Sequence, residues 1–530
     1  MGALARKKYD AIVIGGGHNG LVFATYLGQA GKKVLLLEQR HILGGACVSE
    51  PFSGFPEALQ TTASYVLSIF PRKIMYDLGL EERGLTLLDR DPNAFTPLRD
   101  GRYLMRYDDP ARTTAQIAKF SERDALNYAA FERSIARVAR FAAEMMFMTP
   151  PDPFRKRDWF KLLSLGRKVL GLGQEDFSTL VELFSVSAYD YVRRYVRSEP
   201  LVGTICSDGI IGTCGGPRAP GTAYVLLHHD IGDLADEPGK WFYVQGGMGG
   251  VADSLANAAR AAGVEIVVNA DVQQILVNKN GVEGVAATIE GTPVNIASKA
   301  VVSSADAYQT FVRMLPPGYL PIGFLGDVKR IDYSSPTWKV NMVVEDNADR
   351  HLKWFCNYKG PTPPGTIHLI GEGADDIERA YDDMKYGKLS KHPVLEICVP
   401  TTRDMTLAPR GYHVLSILGQ YAPFDTPREL LLERTLATME QYCNIRDVLV
   451  TADVLSPKDM EERFRLTGGN IFQGAMPLKQ LFSMRPLPGW ARYRSPVKNL
   501  WMCGSACHPG GGVTGIPGHN AAREFLKKGW

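Results

Sequence analysis

No stretch of the 530-residue sequence reaches the roughly 18 consecutive apolar residues that a membrane-spanning helix requires. Its eight cysteines, at 47, 206, 214, 356, 398, 443, 503 and 507, never form a C-x-x-C pair. A chain this long fills its cores without covalent staples, so the scatter points to a reducing, cytoplasmic setting rather than secretion. An excess charge is missing too: 60 Lys and Arg oppose 57 Asp and Glu, a formal +3 that is too weak for a nucleic-acid footprint. Metal-ligand spacing is also absent. His228 and His229 are adjacent and point different ways on a helix, with no H-x-x-H or carboxylate cluster beside them. The 53 glycines follow no fixed period, which excludes a collagen-like or solenoid repeat. What remains is ordinary globular composition, 45% hydrophobic and 22% charged, with length for about three domains.

The glycines cluster instead beside apolar runs. Tyr9 to Ile14 (YDAIVI) reads as a buried strand, and Gly15, Gly17 and Gly20 follow it at once in G-x-G-x-x-G spacing. From Leu21 apolar residues keep helical spacing up to Gly31, after which KKVLLLE reads as a second strand ending in Glu38. In such a βαβ unit the first glycine permits the tight turn. The second lets backbone approach a pyrophosphate, and the third lets helix and strand pack closely. Glu38, 18 residues after Gly20, stands where a carboxylate accepts from an adenosine ribose, and its charge disfavours a 2′-phosphate. The unit leaves FAD and NAD both open.

Three further segments bear on that choice. Arg40 to Ala46 (RHILGGA) brings the Gly44-Gly45 pair close behind Glu38. Asp271-Val272 ends a helix and strand expected to return beside the same sheet. Near the C-terminus a strand, Asn499 to Cys503, runs into a glycine loop and then a helix over Asn520 to Lys528, a second place where backbone N–H groups and a helix dipole can meet an electron-rich ligand. A second nicotinamide fingerprint is the candidate Gly247-x-Gly249-x-x-Ala252, but the following strand ends in Asn269 where a carboxylate is expected, so one dinucleotide is inferred.

The strings AIVIGGGHNGL, AYVLLHHDIGDL, WFYVQGGMGG, GGNIFQGAMPLKQLF and GSACHPGGGVTGIPGHNAA resemble, across nearly the whole chain, the FAD-dependent family of phytoene desaturases, carotenoid isomerases and retinol saturases, itself related to flavin amine oxidases. The resemblance implies an α/β fold: a Rossmann-like FAD-binding domain assembled from residues 1–89, 235–308 and 484–530. A substrate domain of mixed sheet backed by helices is expected from two insertions, the first, 90–234, mostly helical, as over Thr113 to Met146, and the second, 309–483, of sheet and helices, with Pro361 to Pro364 in a connection. By that resemblance Gly15, Gly17, Gly20 and Glu38 bind the ADP part of FAD, Gly44 and Gly45 lie near the pyrophosphate or flavin, and Val272 contacts adenine through its backbone. Gly504, Gly511, Gly512, Gly515 and Gly518 face the isoalloxazine, and His18, Asn19, Gln39, Arg40, Ala46 and Val513 fall in the same cofactor-binding set. Many family members carry Arg where this chain has Ala46; Arg40 is the candidate substitute.

A subgroup of that family which these strings resemble is labelled for disulphide reduction, yet the sequence offers no redox dithiol near the flavin, and Cys47, Cys503 and Cys507 read as small buried residues. The expected activity is therefore that of an FAD-dependent oxidoreductase that desaturates or oxidises an apolar, polyene or lipid-like substrate, with oxygen or a quinone as electron acceptor. A redox-neutral isomerase or saturase and a non-catalytic binding protein like the GDP dissociation inhibitors are the alternatives. No catalytic acid or base is assigned; for His508, inside the glycine loop, catalytic and loop-stabilising roles both stand. Phe154 to Gly173 (FRKRDWFKLLSLGRKVLGLG) is a basic amphipathic helix candidate, either a peripheral membrane contact or an ordinary helix with a solvated basic face.

Overall fold

The computed structural model describes residues 7–234, 238–354, 356–360 and 363–527; Pro361 and Lys528 lie outside the described residues. Four consecutive apolar residues, Ala11–Ile14, form the first strand, and all are buried. A strand covered on both faces needs helices on each side, the environment of a parallel sheet. Gly15 (φ +94) turns the chain into the helix His18–Gln29, which returns it to the parallel strand Val34–Leu37. Three distant strands complete this sheet: Val301–Ser303 pairs on the other side of Ala11–Ile14, Leu500–Met502 lies beyond it, and Glu265–Val267 flanks Val34–Leu37. Ile12 stands between Val301 and Leu35, and Val301 stands opposite Leu500.

Asp271 and Val272 leave this sheet, contrary to the sequence expectation. At Asn269 the backbone takes φ 51, and Ala270–Asn278 swings away to pair with Gly281–Ile289 in a three-stranded antiparallel sheet. The departing strand stays tied at its start, where the Ala270 N–H donates to the Glu38 carbonyl at 2.8 Å.

A second large sheet has seven strands in the order Leu449–Leu455, Thr337–Glu345, Tyr412–Gln420, Val394–Cys398, Thr366–Leu369, Ala94–Pro97 and Tyr103–Arg106. Its last two strands come from the 90–234 segment and are joined by a Leu98–Gly101 turn. The helical stretch expected over Thr113 to Met146 consists of two helices, Pro110–Ala118 and Glu122–Met146. The break falls at Ser121, whose hydroxyl accepts the Asp124 N–H at 3.1 Å and restarts the helix. No helix among the described residues is long and apolar enough to cross a membrane.

The chain closes on itself at the last helix, Ile516–Leu526. It packs on the first helix with Phe525 edge-on to Phe23 (ring centroids 5.7 Å apart), and Gly518 sits directly under the Asn19 carbonyl. A Cβ on Gly518 would stand 2.2 Å from that oxygen, so Gly518→Ala must push the two helices apart. The expected cost is about 1–3 kcal/mol. Gly166→Ala, in a helix where a Cβ meets nothing within 4 Å, should be neutral or stabilising by up to about 1 kcal/mol. Urea unfolding of both variants checks the pair.

Candidate active site

The turn after the first strand and the Gly44-Gly45 turn are bonded to one another: the Gly44 N–H donates to the Gly16 carbonyl at 2.8 Å, and Gly17 and Gly44 form a bridge. Gly20 allows this compactness, since a Cβ there would lie 2.1 Å from the Gly15 carbonyl oxygen. Gly17 differs. Its Cβ would meet nothing nearer than the Gly44 oxygen at 3.9 Å, so the space in front of it is open. Gly17 is also the N-cap of the first helix, without a side-chain cap or an acidic residue in the first turn. An uncapped helix N-terminus behind an open glycine cradle is an anion-binding arrangement.

Glu38 is buried at the end of the second strand. One carboxylate oxygen accepts the Gly16 N–H at 2.7 Å and the other accepts the Arg40 N–H at 2.9 Å. Burial nonetheless holds its pKa above the ordinary carboxylate value, against the lowering effect of those two bonds. Arg40 does not offer a free cation. Its guanidinium pairs with Glu50 at 2.7 Å and lies over the Phe464 ring.

From the C-terminal side, the Ser505 hydroxyl accepts from the Asn19 amide at 3.0 Å, and His18 bonds to the Gly512 backbone. Burial drops His18 to about 4, so the imidazole is neutral. The Asn19 Oδ1 is buried without a protein partner, an unusual state for an amide oxygen at the wall of a cavity. That orphaned acceptor, the open cradle at Gly17 and the uncapped helix fit a dinucleotide with a pyrophosphate centre.

These groups line one cavity of about 460 Å³. Of the residues singled out from sequence, Gly15, Gly17, His18, Asn19, Glu38, Gln39, Arg40, Gly44, Gly45, Ala46, Val272, Gly512 and Val513 line it. Gly20, Gly504, Gly511, Gly515 and Gly518 do not; they serve close packing behind it. A Cβ on Gly504 would strike the Ser304 carbonyl at 2.1 Å, and one on Gly511 would strike Phe472. His508 also stands outside the lining, its Nε2 donating to the Met145 carbonyl at 3.2 Å. His228 bonds to the Gly511 carbonyl, and His229, which does line the cavity, bonds to Val225 and Asp208 carbonyls. Among the described residues no cluster of metal-ligating side chains occurs.

Sequence reasoning left the opposite wall unassigned. Tyr65, Ile69, Ile211, Trp241, Leu418 and Phe472 give it an apolar, aromatic character. Trp241 and Phe472 sit inside quoted motifs, whereas Tyr65 lies in an unremarkable loop with no signal. Behind the wall, the Tyr65 hydroxyl donates to Glu396 at 2.7 Å, Arg90 approaches Glu396 at 3.5 Å, and Lys339 sits 4.8 Å from the Tyr65 ring centre while donating to the Ser416 hydroxyl. The second-fingerprint candidate is closed by the protein itself. The Ser49 hydroxyl accepts the Gly249 N–H and that of Thr61 the Met248 N–H, so the helix Gly249–Ala261 has its first donors satisfied. All eight thiols are free, and burial raises Cys47, beside the cavity, to about 12.

Comparison with known proteins gives three results. The description NAD(P)-binding Rossmann-like domain matches residues 13–76. The chain is 35% identical to pyridine nucleotide-disulfide oxidoreductase domain-containing protein 2 of Mus musculus over 98% of this chain and 94% of that one, and 26% identical to carotenoid 3,4-desaturase of Haloarcula japonica over 98% of each. In fold it is similar to putrescine oxidase bound to putrescine, with TM-score 0.60 and 16% identity over 98% of this chain and 100% of that one.

Lys339 generates a pH test. Burial lowers it to about 7, with only Cys398 and Glu396 pulling upward. Between that value and the ordinary lysine pKa of about 10.4 the unfolded chain binds a proton that the folded chain does not, so stability rises with pH through this window. Below about 7 the full cost is present. Lys339→Met should flatten the rise and stabilise the neutral-pH protein by on the order of a few kcal/mol, read from denaturation midpoints at several pH values.

Proposed function

The chain belongs to the family of pyridine nucleotide-disulfide oxidoreductase domain-containing protein 2, and from that premise we propose that it is an FAD-dependent oxidoreductase that desaturates or oxidises an apolar, polyene or lipid-like substrate, with oxygen or a quinone as electron acceptor. One observation carries this reading: the cavity that begins at the glycine cradle and Glu38 continues without a break to the wall of Trp241, Leu418 and Phe472. A cofactor gripped at the first would meet an apolar molecule held by the second.

In this reading Gly17 and the N-terminus of His18–Gln29 hold the pyrophosphate, the Glu38 carboxylate accepts from the adenosine ribose, and Val272 meets the adenine through its backbone. Gly44, Gly45, Gly512 and Val513 support the cofactor further along. Bound FAD supplies a hydride-accepting N5. The aromatic wall orients the substrate carbon and excludes water, which strengthens each polar contact left inside. Tyr65 is the polar group of that wall. Its hydroxyl proton is committed to Glu396, so a proton-donating role toward the cavity would require that hydrogen bond to break. The description NAD(P)-binding of residues 13–76 is compatible with FAD, since both dinucleotides share the ADP half that this unit grips.

The purified full-length protein should carry a visible flavin spectrum, and heat should release FAD. Gly17→Leu, which fills the open cradle, should lower FAD affinity by about a hundredfold or more, an amount consistent with a misplaced anion at a helix N-terminus. Anaerobic mixing with lipid extracts should bleach the flavin. Colourless protein from gentle isolation overturns the FAD assignment, and turnover that appears only after prior reduction, with no oxidant consumed, replaces oxidation by isomerisation or saturation.

A further inference from the structure

The helix Trp159–Gly171 contains no buried residue, yet it is apolar on two sides. Leu162, Leu165 and Val169, on one side, are half-buried. Phe160, Leu163 and Leu170 form a second stripe, 83%, 63% and 82% exposed, and Phe154 just ahead of the helix is 95% exposed. Phe177 and Val181 on the next helix, Gly173–Ser185, are exposed as well. Water disfavours a contiguous patch of this kind, and single scattered apolar residues would need no such explanation.

The charges around the stripe have one sign in excess. Lys156, Arg157 and Arg167 are exposed and face no carboxylate. The nearby carboxylates are engaged: Asp152 with Arg155, Asp158 with Lys161 and Arg492, and Glu144 with Lys168. Between this helix and the last one lies a second cavity of about 270 Å³, lined by Lys161, Ser164, Thr149, Asn520, Arg523 and Lys527. Its neighbouring carboxylate, Glu524, is shared among Thr149, Lys527 and Arg492, which leaves Arg523 without an acidic partner.

We propose that this face docks on an anionic lipid bilayer: Phe154, Phe160, Leu163 and Leu170 enter the interfacial layer, and the cavity beside Lys161 and Arg523 holds the phosphate of an anionic phospholipid headgroup. A basic amphipathic helix with aromatic and leucine side chains on its apolar side has the two attractions such a surface rewards, apolar burial and charge. A second copy of the chain is disfavoured as the occupant, because a two-fold contact would bring the same basic cluster against itself. This inference is independent of the substrate reading, since binding is read without turnover.

The test is co-sedimentation of the full-length protein with vesicles of phosphatidylcholine alone and of phosphatidylcholine mixed with phosphatidylglycerol. The partition coefficient should be about tenfold or more higher on the mixed vesicles and should fall as salt is raised. Phe160→Ser with Leu163→Glu, both at exposed positions, should abolish sedimentation on either vesicle. Lys161→Gln with Arg523→Gln should remove most of the preference for phosphatidylglycerol and leave weak binding to phosphatidylcholine. Unchanged melting temperatures show that the variants fold. Sedimentation retained by the Phe160/Leu163 variant, or absent from the parent protein, overturns the proposal. So does a thermal shift with inorganic phosphate but no vesicle binding, which makes the cavity a site for a free anion, or a concentration-dependent dimer broken by the same variant.

Discussion

Everything near the candidate active site depends on one close approach, the seating of the last helix on the carbonyl of Asn19. The residues that meet there are separated by almost the whole chain, and they meet without any side chain between them because Gly518 has none. Around that contact the Asn19 amide reaches Ser505 and His18 reaches Gly512, so both glycine loops are held by groups from the opposite end of the sequence. The cavity wall is thus a product of long-range closure. Neither end could form it locally, and a gap of one methyl group at the helix crossing would be felt at the cradle because packed interiors transmit strain.

Closure of this sort requires polar backbone to be buried, and Arg485 shows how the protein meets that demand. The guanidinium is fully buried and has no carboxylate beside it. It donates instead to the carbonyls of Ser505, Phe472, Gly474, Ala475 and Gln480. Five donors in a fixed fork suit a loop that has carbonyls to satisfy and no regular partner for them. Desolvation drops this arginine to about 10, still well above neutral pH, so the charge persists and binds the C-terminal loop to the Gly469–Gly474 turn. Lys339 represents the opposite solution. An ammonium in a comparable position falls to about 7 because its compact charge has one hydroxyl and a ring face to replace water.

The sequence was legible where chemistry is local. Gly15, Gly17 and Glu38 could be placed at one cavity because a strand–turn–helix–strand unit sets their spacing, and its short apolar strands declare burial on both faces. Legibility ended where position depends on tertiary routing. The departure of Ala270–Asn278 into its own sheet follows from a single left-handed residue, Asn269, for which the hydrophobic pattern holds no sign. The joining of Ala94–Pro97 to the seven-stranded sheet pairs it with Thr366–Leu369, hundreds of residues away. The same holds for Tyr65, which matters for the cavity only because Glu396 and Lys339 arrive behind it from two different strands. The C-terminal glycines were recognisable as a set, yet only geometry separates Gly512, at the cavity, from Gly511 and Gly518, which exist so that other backbone can come near.

The label of the Mus musculus relative mentions disulphides, and the thiols argue physically against that chemistry here. Exchange begins with a thiolate. Cys47 is the cysteine at the cavity, it donates to the Met248 carbonyl, and burial pushes its pKa up to about 12, so the thiol form dominates at neutral pH. Burial raises Cys503 and Cys507 as well. A low population could be rescued by a nearby cation, but the arginine closest to Cys507 spends its donors on carbonyls and only partly offsets desolvation. Thiols held protonated in this way leave the electron transfer of the proposed reaction to what the cavity binds. The protein's own contribution is then geometric and dielectric: a fixed cradle, a dry wall, and the clasp that keeps the two in register.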